Sequence, residues 1–145
     1  LAASTDLLDV NVWLGLSLPE HPYHERARRY WFEESGIEIA FCRVTALALL
    51  RLTTQPAVMG GDPLSVAGAW RLYRQYRDMP EVVLFREPDG LDRRFAAWAT
   101  SEAPSRRLWT DAYLAAFAIT GQLRLVSFDN DFERFEDLSL LQLEP

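Results

Sequence analysis

The chain has no lysine: all 15 of its basic residues are arginine. That absence excludes a P-loop, and no Gly-rich loop stands before a helix to carry one. Cysteine is nearly absent too. Cys42 alone cannot form an intramolecular disulfide or a thiolate metal site, and a small buried hydrophobe in a reducing compartment is its expected role. Long apolar runs are missing, since stretches such as residues 113–119 fall far short of the roughly 20 residues that span a bilayer. No membrane segment is expected. Excess positive charge is also lacking. A net charge of −6 argues against coating nucleic acid by bulk electrostatics but leaves a local basic patch open. Residues 1–6 show no basic region ahead of a hydrophobic run, so no secretory signal is read and a cytoplasmic location is expected. Phosphate chemistry in such a chain must rest on carboxylates, arginines or a metal.

What is present is a chain of 145 residues, 49% hydrophobic, of a size to bury one core. A single domain over 1–145 is expected, because no repeat, linker or low-complexity tract divides it. Short apolar segments near residues 7–10, 37–41, 82–85 and 123–127 read as strands, with a final edge strand at 139–143. Helical patterns fall at 24–34, 44–53, 64–77, 91–100 and 108–120. Gly36, Gly60-Gly61-Asp62-Pro63 and Pro88-Asp89-Gly90 punctuate them. This alternation predicts an α/β fold: a central, mainly parallel sheet of four or five strands covered by helices.

Three aspartates stand out against this frame. Asp9 follows the apolar Leu7-Leu8, and Asp129 follows Leu125-Val126-Ser127-Phe128. Both are placed at carboxyl ends of strands, the edge where open α/β sheets bind ligands. Asp111 is the only charge in the apolar helix of residues 108–119, so it needs a partner or a metal. Singly, each has an ordinary reading as a cap or turn residue, with Thr110 as a possible cap beside Asp111. Jointly, carboxylates without compensating lysines repel one another, and a hard divalent cation relieves that repulsion. Such an ion suits an in-line phosphodiester displacement.

The segments Leu8-Asp9-Val10-Asn11-Val12-Trp13, Phe41-Cys42-Arg43-Val44-Thr45-Ala46-Leu47, Trp109-Thr110-Asp111-Ala112-Tyr113 and Leu125-Val126-Ser127-Phe128-Asp129-Asn130-Asp131-Phe132 resemble, in order, the motifs of the PIN-domain family. The resemblance is to the VapC ribonuclease toxins of type II toxin–antitoxin modules. It implies a PIN-like fold and an endoribonuclease holding Mg²⁺ or Mn²⁺ on Asp9, Asp111 and Asp129, directly or through water. Asn11 and Ser127 would orient those carboxylates by hydrogen bonds. Hydrolysis of RNA without a covalent enzyme intermediate, a homodimer, and a VapB-type antitoxin laying its C-terminal segment and an arginine over the acidic groove are also implied. Asp131 is read as a solvent-facing turn acid, with assistance to Asp129 as the alternative. One position departs from the pattern. The family usually places Glu after the position of Thr45, and branches resembling this one often place Gln, whereas Ala46 stands here. A weak enzyme, a site completed by another residue and an inactivating replacement all stay open.

Arg106 and Arg107, just ahead of Asp111, are the favoured candidates to grip RNA phosphates. Arg71, Arg74 and Arg77, along one side of a predicted helix, are read equally well as a solvated face. Glu33, Glu34 and Glu38 are read as solvated, and the five tryptophans as core or interface residues. Two rival functions remain. One is a catalytically impaired PIN-like module that binds RNA or antitoxin. The other is a phosphotransfer enzyme of the haloacid dehalogenase or response-regulator kind, disfavoured by the missing lysine.

Overall fold

The computed structural model describes residues 5–145, so residues 1–4 of the segment read above for a secretory signal lie outside the described residues. Its sheet comprises β1 (Thr5–Leu8), β2 (Glu38–Phe41), β3 (Val82–Leu84), β4 (Arg124–Ser127) and β5 (Leu140–Gln142). The strands run in the order β3-β2-β1-β4-β5, and every neighbouring pair is parallel. The mainly parallel sheet expected from the alternating pattern is thus a fully parallel one of five strands, the last edge strand included.

The strands bury both faces, and their alternation sorts the core into two halves. Leu8, Ile39, Phe41 and Val126 point to one face, covered by α1 (Val10–Ser17), α2 (His24–Arg29), α3 (Arg43–Thr53) and α4 (Val66–Arg77). Leu7, Ala40 and Leu125 point to the other, covered by α5 (Leu91–Thr100) and α6 (Leu108–Gly121). On the first face Trp13 stacks on Phe41 at 3.8 Å between ring centroids, which fixes α1 against β2. Among the described residues no helix is long and apolar enough to cross a membrane.

Four local differences separate the structure from the sequence reading. The first strand ends at Leu8 rather than at residue 10, because Asp9 caps a helix: its Oδ1 accepts a hydrogen bond from the Val10 amide at 2.8 Å. Helix α1 has no counterpart in the sequence pattern, since a short apolar run cannot be told from a strand by periodicity alone. The helix expected over 64–77 begins at Val66, after Ser65 accepts from the Gly68 amide at 2.9 Å. The helix expected over 24–34 changes into a π turn at Tyr30–Glu34. There the Tyr30 hydroxyl donates to Asp6 across the sheet edge.

The chain leaves β1 towards β2 and β3, then crosses back to lay β4 on the other flank of β1. The β1–β4 junction is therefore the switch point of the sheet, where a crevice opens beyond the strand ends.

Candidate active site

The parallel register of Leu8 with Val126 brings the residues after β1 and β4 side by side. The Asp9 amide donates to the Val126 carbonyl at 2.9 Å, which continues the ladder one step past β1. Ser127 then becomes a hub. Its hydroxyl donates to Asp9 Oδ2 at 2.7 Å and accepts from the Asp129 amide at 2.9 Å and from Asn11 Nδ2 at 3.3 Å. Asn11 Oδ1 accepts in turn from the Phe128 amide at 3.3 Å. Asn11 and Ser127 thus fix the relative placement of Asp9 and Asp129.

Asp129 caps a short 3₁₀ turn, Asn130–Arg134, by accepting from the Asp131 amide at 2.9 Å. Its other oxygen accepts from Arg107 Nη1 at 2.8 Å. Asp111 arrives from the first turn of α6, most of whose apolar side chains are buried against the sheet. Its Oδ2 is buried and, among the described residues, has no hydrogen-bond partner. Arg134 Nη2 stands 3.6 Å away, beyond hydrogen-bonding distance.

Asp111, Asp129 and Asp131 each offer one oxygen such that all three lie within 4.8 Å of one another. The tightest grouping is therefore these three acids rather than Asp9, Asp111 and Asp129. Asp9 stands beside it, near enough for the Asp129 charge to be felt. Burial pushes the Asp9 carboxyl above the usual range, against the opposing hydrogen bonds from Ser127 and Val10. Asp111 is pushed up to about 6, first by burial and then by the charges of Asp129 and Asp9, with Arg134 and Arg107 opposing. Carboxylates that burial and mutual repulsion hold reluctant to ionise, one with an orphaned buried oxygen, form a donor set matched to a hard cation with oxygen ligands.

Of the arginines singled out in the sequence, Arg106 and Arg107 line the cleft beside Asp111 and Asp131. Arg71, Arg74 and Arg77 do not line it; they sit on α4, where Arg77 donates to the Tyr73 hydroxyl at 2.9 Å and Arg74 lies over Trp70. Glu34 pairs with Arg26 at 2.6 Å and Glu38 accepts from Thr5, both away from the acidic cluster. Cys42 is buried, and burial raises its thiol, so it is a packing residue. Ala46 is fully buried, in the same half of the core as Leu8, which precedes Asp9, and Val12, one turn into α1.

Sequence reasoning missed Arg134 and Glu102. Arg134 lies in the 3₁₀ turn and pairs with Glu102 at 2.8 Å. No spacing connects these two residues, and only the docking of α5 and α6 beside β4 brings them together.

The PIN domain family matches residues 7–138. Ribonuclease VapC41 of Mycobacterium tuberculosis is 41% identical over 140 residues, 92% of this chain and 95% of that protein. Ribonuclease VapC44 of the same organism is 33% identical over 129 residues, 85% of this chain and 84% of that protein. Among solved structures, VapBC-1 from nontypeable Haemophilus influenzae superposes with a TM-score of 0.67 at 14% identity, over 95% of this chain and 97% of that one. Mycobacterium tuberculosis VapC20, described as a sarcin-ricin loop cleaving toxin, superposes with a TM-score of 0.63 at 15% identity, over 88% and 92%. The segments that carry the resemblance, the five-stranded parallel sheet and the acids at its switch point thus all converge on one conclusion: the chain belongs to the PIN-domain family, in its VapC branch.

Proposed function

We propose that this chain, as a single PIN domain, is a divalent-metal-dependent endoribonuclease toxin of a type II toxin–antitoxin module, held in check by a cognate VapB-type antitoxin in the cytoplasm. The observation that carries the reading is the buried Asp111 Oδ2, without a hydrogen bond among the described residues, beside oxygens of Asp129 and Asp131 within 4.8 Å. The 41% identity to a VapC ribonuclease over nearly the whole chain supports the same substrate class.

Asp111, Asp129 and Asp9 would hold Mg²⁺ or Mn²⁺, with Asp131 as a further oxygen donor. When bound, such a cation lowers the pKa of water and offsets charge on phosphate oxygens. The chain's own residues do the positioning. Ser127 and Asn11 keep Asp9 and Asp129 in register, and the Val10 amide holds the remaining oxygen of Asp9. Arg107, with 70% of its side chain exposed, is free to exchange Asp129 for an RNA phosphate, and Arg106 lines the same cleft. An antitoxin arginine would neutralise the acids as a cation does. Exposed aromatics such as Trp109 are suited to a homodimer or antitoxin interface.

The test is to incubate purified, partner-free protein with total RNA in Mg²⁺, in Mn²⁺ and in EDTA, and to map new RNA ends. Discrete cuts in metal and none in EDTA are expected. Binding of RNA or antitoxin without cuts in any metal would instead favour the impaired module that Ala46 motivates.

A further inference from the structure

The cleft beside the acidic cluster, about 630 Å³, is lined by Arg106, Arg107 and Arg134 together with Asp111 and Asp131. The three arginines are not equivalent. Arg107 is mostly exposed and is spent on Asp129. Arg106 is exposed, and among the described residues no carboxylate lies within ion-pair range of it. Arg134, with 30% of its side chain exposed, is clamped on several sides. Its Nε pairs with Glu102 at 2.8 Å, its Nη1 donates to the Asp131 carbonyl at 2.8 Å, and its guanidinium lies 4.5 Å over the Phe135 ring.

That clamp leaves one arm of the guanidinium over. Among the described residues Nη2 has no hydrogen-bond acceptor, and it stands 3.6 Å from Asp111 Oδ2 at the wall of the cleft. A fixed positive charge at that place opposes a cation on Asp111, so it does not serve metal binding. It does serve an anion lying between a cation on the aspartates and the guanidinium. A planar fork with unspent donors, already ordered by its neighbours, loses little entropy on gripping a phosphate.

We propose that Arg134 is a substrate-binding residue whose Nη2 arm, held only by the long ion pair to Asp111, takes a phosphate oxygen of the RNA beside the acidic cluster, and that Glu102 is the positioning residue that holds it there. The inference rests on the ribonuclease reading for its ligand, an RNA phosphodiester, but not on turnover.

The experiment measures binding without cutting. In an Asp9→Asn background, the anisotropy of a fluorescent single-stranded oligouridine is followed across a salt series, and Mn²⁺ affinity is measured by calorimetry without RNA on proteins that keep Asp9. Arg134→Gln should weaken RNA binding about tenfold, uniformly across sequences, and reduce the slope of log K against log[salt] by about 0.7, one phosphate contact on a single strand. Its Mn²⁺ affinity should stay level or rise, which a merely structural role would not produce. Arg134→Lys keeps the charge and should keep the slope while losing part of the affinity. Glu102→Gln should lose about threefold in RNA affinity by freeing the fork. Unchanged RNA affinity and slope in Arg134→Gln would overturn the proposal, as would Mn²⁺ affinity falling in parallel with RNA affinity. If the parent protein binds RNA with the Arg134-dependent slope yet cuts none in any metal, the nuclease reading fails and the role of Arg134 stands.

Discussion

The two ends of the β1–β4 pair each carry an aspartate from the same stretch of chain, and the fold treats them in opposite ways. At the amino edge, Asp6 is fully buried, and each of its oxygens is occupied. Arg124 Nε and Nη2 grip Oδ1 and Oδ2 at 2.9 Å, and the Tyr30 hydroxyl and the Gly36 amide also donate to Oδ2. Arg124 Nη2 reaches on to the Glu34 carbonyl at 2.8 Å, which ties the π turn to the sheet. At the carboxyl edge, Asp9, Asp111, Asp129 and Asp131 gather, with Asp111 Oδ2 lacking a hydrogen bond among the described residues. A buried carboxylate with complete hydrogen bonding is structural, whereas a set left incomplete is disposed to receive a ligand.

Breaking the incomplete end should have the largest effect on activity and little on folding. Asp111→Asn should lower metal-dependent RNA cleavage by more than about 100-fold, the upper range for losing a group around a metal. Urea unfolding of the metal-free variant at neutral pH should show equal or greater stability, because a repelled charge has been removed. Cleavage at the parent rate would remove Asp111 from the site.

Breaking the complete end should do the reverse. Asp6→Ala leaves Arg124 beside a cavity with no carboxylate, and Arg124 is partly exposed, so a loss near the lower end of the range for buried ion pairs is expected, about 3 kcal/mol in urea unfolding. Metal affinity per folded molecule should be unchanged. A fall in Mn²⁺ affinity without a change in stability would show that the two ends are coupled.

Solution pH sharpens the comparison further. In the folded, metal-free protein Asp111 is raised to about 6, above its unfolded value. Between those values the folded state binds the extra proton. The contribution of Asp111 is therefore most favourable below the unfolded value and is lost as pH rises through the folded one. Stability in EDTA should fall by about 2 kcal/mol between about pH 4 and pH 7 from this group, and Asp111→Asn should flatten that part of the curve. Saturating Mn²⁺ should reverse the trend by binding the ionised form. Identical pH profiles for parent and Asp111→Asn in EDTA would show that the carboxyl is not strained by its neighbours.

The sequence made the carboxyl edge more legible than the amino edge. Asp111 was conspicuous as the only charge in an apolar helix, and Asp9 and Asp129 followed apolar strand runs. Ser127 and Asn11 lie within the same short segments. Asp6 was not legible, because its partners Tyr30, Gly36 and Arg124 come from distant parts of the chain and only the parallel register of β1 with β2 and β4 brings them together. Asp131 reads in the sequence as a turn acid, and it does sit exposed in a turn; the cap formed by Asp129 is what swings it towards the cluster. Helix α1 was hidden for a local reason: a helix buried against the sheet has no polar face to give it a 3.6-residue period, although Asp9 before an apolar run was a cap signal.

The smallest effect is expected at Ala46, and it measures how far the incomplete edge can be filled. Ala46 is fully buried in the first turn of α3, in the half of the core that contains Leu8 and Val12. A larger side chain there must displace neighbours, which in a packed core costs about 1 to 3 kcal/mol. Ala46→Leu should show that cost alone, with no change in metal affinity. Ala46→Glu should show a similar or larger cost in EDTA, since a carboxylate is buried as well, yet it should tighten Mn²⁺ binding about tenfold and raise cleavage with it, the lower range for restoring a group around a metal. Mn²⁺ should then recover more stability in the Glu variant than in the parent, because a ligand that binds only the folded state stabilises in proportion to the logarithm of its affinity. Calorimetry and urea unfolding on the three proteins, each with and without Mn²⁺, make the check. If the Glu and Leu variants lose the same stability and bind Mn²⁺ equally, position 46 faces only the core and the acidic cluster is complete without it.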